Sequence, residues 1–129
     1  LAECRRVLKD EGRFLCSTYG KQHMWEITDL VQQFHKEIVL SAEVLYERFG
    51  LENGENLLAP YFPEIQMRRY EDAIEIAEAE PLISYILSCH GNQNQLLLNQ
   101  YKEFREFVSA RVADGFHITK DAGIFLCRK

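Results

Sequence analysis

The side chains with chemistry to offer gather in one short stretch. Ser17, Thr18, Tyr19 and Gly20 close an apolar run, and His23 and Met24 come directly after it. Tyr19 could orient a substrate or hydrogen-bond its acceptor atom, although a tyrosine ending a strand also packs as a ring with a wet hydroxyl. His23 could be a general base, because an unperturbed imidazole titrates near neutrality; a histidine at a helix N-terminus with no catalytic duty is the competing reading. Tyr46, Phe49, Tyr85 and His90 could line a lid over the same site. Aromatic residues at helical spacing also make core, and His90, just before Gly91, also suits a helix C-terminus electrostatically. No Ser-His-Asp or Cys-His arrangement follows from the spacing.

Such a group of residues must be held by a strand and the turn after it. In open α/β sheets ligands bind outside the carboxyl ends of strands, which places Ser17 to Gly20 at the mouth of a site and His23 and Met24 on the first turn of the next helix. The flanks agree. Leu1, Cys4, Val7 and Leu8 recur at three and four until Asp10 and Gly12 stop the helix, and Met24, Ile27, Leu30, Val31 and Phe34 form a second amphipathic stripe. Between them Phe14, Leu15 and Cys16 read as a parallel strand covered on both faces.

Further along, Ser41 is expected to cap a third helix through Val44, Leu45 and Phe49, and Asn53-Gly54 to open a short helical turn ended by Pro60 and Pro63. The period falls to two from Glu64 to Tyr70, which predicts a half-exposed strand continuing over Ala73 to Ala77 beyond a bulge at Glu71-Asp72. Pro81 suits the first turn of a helix that Gly91 ends, and one longer helix carries Leu97, Tyr101, Phe104, Val108 and Val112 up to Gly115. A last strand covers Phe116 to Thr119 and Gly123 to Arg128, interrupted at 120–122. The reading is α/β, with three strands and about six helical segments.

Composition narrows the partners. The 129 residues carry a net charge of -5, with no cluster of lysines and arginines, so neither nucleic acid nor a membrane surface is expected as partner. No apolar run nears the ~20 residues of a membrane span, and the N-terminus lacks a signal-peptide order, so a cytoplasmic protein is expected. Cys4, Cys16, Cys89 and Cys127 show no C-x-x-C spacing and read as reduced thiols rather than metal ligands. The five carboxylates between Glu71 and Glu80 read as a solvated edge.

The string RRVLKDEGRF followed by LCSTYG resembles the middle of a class I S-adenosylmethionine-dependent methyltransferase: the helix before the fifth strand, that strand, and the start of the next helix. The resemblance covers the family's C-terminal half and implies a Rossmann-like half-sheet whose last strand lies antiparallel between the other two. It implies one partial methyltransferase domain over 1–129, in which 78–115 is a helical insertion similar to the substrate lid of trans-aconitate-type methyltransferases. The function implied is the substrate-binding part of a methyltransferase acting on a small molecule, inactive alone. A non-catalytic binding or dimerisation module derived from the same half-sheet is the alternative.

The cofactor of the full-length enzyme would be S-adenosylmethionine, held by a glycine-rich turn and an acidic residue. The glycines stand at 12, 20, 50, 54, 91, 115 and 123, so the chain has no G-x-G, and no cofactor is expected on this fragment. The 13–19 strand would become an edge, to be covered by the missing N-terminal half or by a second copy of the chain, hence an oligomer.

Overall fold

The computed structural model describes all 129 residues. In chain order the elements are α1 Ala2–Val7, β1 Arg13–Tyr19, α2 Trp25–Phe34, α3 Leu45–Arg48, α4 Gly54–Leu58, β2 Glu64–Ile76, α5 Ala79–Ser88, α6 Gln93–Leu97, α7 Tyr101–Val112 and β3 Phe116–Arg128. This is a mixed α/β fold with seven helices and a three-stranded sheet in the order β1-β3-β2. β1 pairs antiparallel with β3, Arg13 opposite Arg128 and Tyr19 opposite Ala122. β2 is antiparallel to β3 as well: Glu64 lies 3.7 Å from Arg128, and Glu75, eleven residues on, meets His117, eleven residues back.

Several expectations need correction. Ser41 caps no helix; its hydroxyl donates to the Glu43 carbonyl at 2.8 Å, and α3 is a single turn that starts at Leu45. The long helix expected from Leu97 is two helices, α6 and α7, which brings the helix count to seven instead of about six. β2 and β3 run without the expected interruptions at Glu71-Asp72 and at 120–122; Ala122 lies opposite Tyr19, and the Asp121 backbone is bonded by Gly20 N–H and by the His23 ring. β1 is not covered on both faces. Phe14 and Cys16 turn to a core while Leu15 is 54% exposed, the alternation of a strand with one packed face.

The chain divides into two compact units. One, of residues 1–23, 44–72 and 120–129, holds β1, α1, α3, α4 and most of the length of the two other strands. Its core is Leu51, Leu58, Phe62, Phe125 and Cys127, ringed by half-buried Phe14, Cys16, Phe49 and Ile65; Phe14 stacks on Phe62 with ring centroids 5.4 Å apart. Burial raises the Cys16 thiol to about 11, with Cys127 and Cys4 adding to the effect, so it packs as an uncharged group. All four cysteines are free.

The other unit, residues 24–43 and 73–119, is mainly helical. α2 supplies Ile27, Leu30 and Val31, α5 supplies Leu82, Ile83 and Ile86, and α7 supplies Phe104, Val108 and Val112, each set recurring at three and four. Pro81 sits in the first turn of α5, where its missing N–H leaves no carbonyl unpaired. Gly115, at φ 92°, ends the run after α7 in a conformation that only glycine adopts without strain. No helix is long and apolar enough to cross a membrane.

Candidate functional site

In the sheet-bearing unit, a cleft of about 520 Å³ opens at the carboxyl end of β1. Ser17, Thr18, Tyr19 and His23 line it, together with Leu45, Arg48 and Phe49 from the α3 region and Ala122 and Gly123 of β3. Four of the expected site residues thus meet at one place. The antiparallel pairing of β1 with β3 explains why: Thr18 lies opposite Gly123 and Tyr19 opposite Ala122, so the end of β1 and the middle of β3 form one wall.

The turn after β1 is fastened to β3 by backbone bonds. Gly20 N–H donates to the Asp121 carbonyl at 2.9 Å, and His23 N–H donates to the Gly20 carbonyl at 3.2 Å. Asp121, only 6% exposed, accepts at its carboxylate from Gln22 N–H at 3.3 Å and pairs with Arg69 Nε at 3.0 Å. Arg69 also reaches Glu52 at 3.3 Å, and Glu52 accepts from Lys21 N–H at 3.1 Å. A buried carboxylate is tolerable only with such partners. The fit is close at Gly20, where an added Cβ would lie 2.2 Å from Asp121 Oδ2 and 2.8 Å from Glu52 Oε1.

His23 is held in place at one ring face and at one nitrogen. Its imidazole stacks on Tyr19, centroids 5.1 Å apart, and its Nδ1 lies 3.1 Å from the Asp121 backbone N–H, which donates to it. Burial lowers its pKa, the nearby Lys120 ammonium lowers it further, and the Asp121 carboxylate and a hydrogen bond with the Asp121 backbone oppose both without outweighing them. The group is therefore a neutral imidazole at neutral pH.

The remaining residues singled out by sequence fare differently. Thr18 lines the cleft, but its hydroxyl proton is committed to the Phe49 carbonyl at 2.7 Å. Gly20 is buried against Asp121 and Glu52 and does not line the cleft; nor does half-buried Tyr46, whose carbonyl accepts from Asn53. Met24, Tyr85 and His90 belong to the helical unit. There the Tyr85 hydroxyl approaches the Met24 sulfur at 4.0 Å, while His90 is exposed beyond the end of α5. Met24 adopts a left-handed backbone, φ 56°, fixed by its N–H donating to the Thr119 carbonyl at 2.8 Å. Just beyond it the Glu26 carboxylate accepts from Thr119 N–H at 3.0 Å and from the Thr119 hydroxyl.

Phe49, expected among the lid residues, does line the cleft, whereas sequence reasoning missed Leu45 and Arg48 as lining residues and the Asp121-Arg69-Glu52 group entirely. Leu45 carried the signal of a buried helix face, which an open cleft wall shares. Nothing in the spacing of Glu52, Arg69 and Asp121 links them, since they are joined only by the fold.

The turn at Gly20 does not suit a cofactor of the kind that the resemblance implies. The one glycine at a strand end, Gly20, has the space over it filled by the chain's own carboxylates, which would repel an anionic or carboxylate-bearing group rather than cradle it. No set of three or more His, Cys, Asp or Glu side chains is arranged to hold a metal ion. Compared with family models and with curated proteins, the chain matches none.

Proposed function

We propose that the chain is the C-terminal, substrate-binding part of an S-adenosylmethionine-dependent methyltransferase acting on a small molecule, its sheet the second half of a Rossmann-like one. The observation that carries this reading is the meeting of Ser17, Thr18, Tyr19 and His23 in a single cleft at the carboxyl end of β1, the strand within the RRVLKDEGRFLCSTYG string. The cleft has the size for a small ligand, with apolar surface from Tyr19, Leu45, Phe49 and Ala122 and polar groups at few points. In methyl transfer the cofactor supplies an activated leaving group, and the protein supplies orientation and exclusion of water. These residues would do the latter. The cofactor is assigned to residues outside the 129.

Two measurements test this. Calorimetric titration of the chain with S-adenosylhomocysteine is expected to give no binding; one-to-one saturable binding would remove the assignment of the cofactor elsewhere. The full reading frame, expressed and supplied with methyl-labelled cofactor and a small-molecule library, is expected to transfer label. A reading frame without a glycine-rich turn upstream would sink the methyltransferase reading.

A non-catalytic binding or dimerisation module is favoured by a separate observation. β1 is an edge strand with Leu15 exposed, and α1 beside it buries no residue of its own. Under that reading the chain sediments as a dimer that Leu15→Lys weakens; a monomer at all concentrations tested excludes self-association through this edge.

A further inference from the structure

His23 was expected as a possible general base, yet its surroundings assign it another duty. The Asp121 backbone N–H lies inside β3, on a residue almost wholly buried, and it needs an acceptor. Nδ1 of His23, at 3.1 Å, is that acceptor, so Nδ1 must keep its lone pair. A proton on Nδ1 would set two donors against each other and strand the buried N–H. The neutral ring therefore carries its proton on Nε2. Gln93 Oε1 is the one fully buried side-chain atom without a partner, so Nε2 is not orphaned in the interior, and His23 lines the cleft.

We infer that His23 serves the cleft as a fixed hydrogen-bond donor, presenting Nε2–H to a carbonyl or carboxylate oxygen on a small ligand with an apolar body. This rests on reading the cleft as the ligand site. The apolar body would lie against Tyr19, Leu45 and Phe49, and the oxygen would meet His23. A base it is not, since a proton could be gained only at the nitrogen already occupied by Asp121 N–H. The charged and titratable groups around it are Tyr19 on β1, Lys120 and Asp121 on β3, and Arg48 from α3 on the cleft wall. Of these, Lys120 and burial keep the ring neutral.

Nitrogen-15 NMR of the imidazole reads the tautomer on the intact 129-residue chain. The expected result is a pyridine-type Nδ1 and a protonated Nε2, with titration below the ordinary histidine value; a protonated Nδ1, or titration at or above that value, overturns the inference. Benzoate then serves as the probe, an apolar ring with an acceptor oxygen, against benzylamine, the same ring with donors only. Benzoate is expected to shift the Nε2 resonance saturably and benzylamine not; equal shifts overturn the donor role. His23→Asn, which keeps an acceptor near the Nδ1 position, is expected to weaken benzoate about tenfold, the scale of one lost hydrogen bond to a charged group. His23→Gln, whose amide reaches the Nε2 position, is expected to restore most of it. Unchanged affinity in His23→Asn, with its urea midpoint intact, overturns the proposal. Methyl transfer by the full reading frame is read separately, so failure there is told apart from failure here.

Discussion

In the helical unit twelve side chains, almost all aliphatic, form one continuous core, whereas the sheet-bearing unit has five, with half-buried rings and thiols around them. The second unit makes up the difference with polar ties: the Asp121-Arg69-Glu52 group, the bonds of Gly20 and His23, and the Thr18 hydroxyl on Phe49. The ties also cost less shape-matching than a large core, and they leave the wall of a cleft uncovered. The candidate site therefore lies in the unit whose core is small and whose backbone is fixed by hydrogen bonds.

The largest test of this contrast lies in the cores. Phe104→Ala is expected to cost about 3–5 kcal/mol in urea unfolding, because Phe104 is fully buried in the larger core, with the Phe34 ring edge-on to it at 5.3 Å. Phe125→Ala removes the same ring from the smaller core and should fall at the low end of that range, since half-buried Phe14, Phe49 and Ile65 can close in. Equal costs would break the comparison. Hydrogen exchange should speed up most within 24–43 and 73–119 for the first variant, and within 1–23, 44–72 and 120–129 for the second.

Next comes Gly20→Ala, which would push a methyl group onto Asp121 and Glu52. About 1–3 kcal/mol of destabilisation is expected from overpacking, with loss of the Gln22 amide's exchange protection. Arg69→Met, which leaves Asp121 buried with one backbone donor, should cost about 1–2 kcal/mol, less than for a fully buried pair because Arg69 is itself partly exposed. A neutral result for both variants would mean that the polar ties do not stabilise the sheet-bearing unit.

The smallest effect is on pH dependence, and it separates the units by window. His23 binds its proton less tightly folded than unfolded, so as pH falls through 6.5 the unfolded chain is protonated first. Its contribution is present above about pH 6.5 and is lost below it. In the helical unit burial raises the Glu26 pKa, but the Thr119 hydrogen bonds outweigh it and leave the group below 4.5; its stabilisation is present above that value and lost as pH falls further. Urea midpoints between pH 8 and 5 should therefore fall in the parent and fall less in His23→Gln.

Periodicity and punctuation determined much by themselves. The amphipathic stripes of α2, α5 and α7, the strand at 13–19, the strand from Glu64 and the last strand from Phe116 were all legible, because burying one face leaves a spacing of three and four or of two. So was the position of Ser17, Thr18 and Tyr19 at a strand end, whereas His23 and Met24, expected on the first turn of the next helix, lie in the turn before α2. Tertiary structure decided the rest. Phe14, Leu15 and Cys16 all read as apolar, and only the neighbour on each face makes Leu15 exposed and Phe14 and Cys16 half-buried. The continuity of β3 through 120–122 goes with partners from β1 and the turn after it, where local composition signals a break. And the state of His23 depends on a residue 98 positions away: no spacing rule relates His23 to Asp121, yet one backbone N–H of that residue fixes which nitrogen carries the proton.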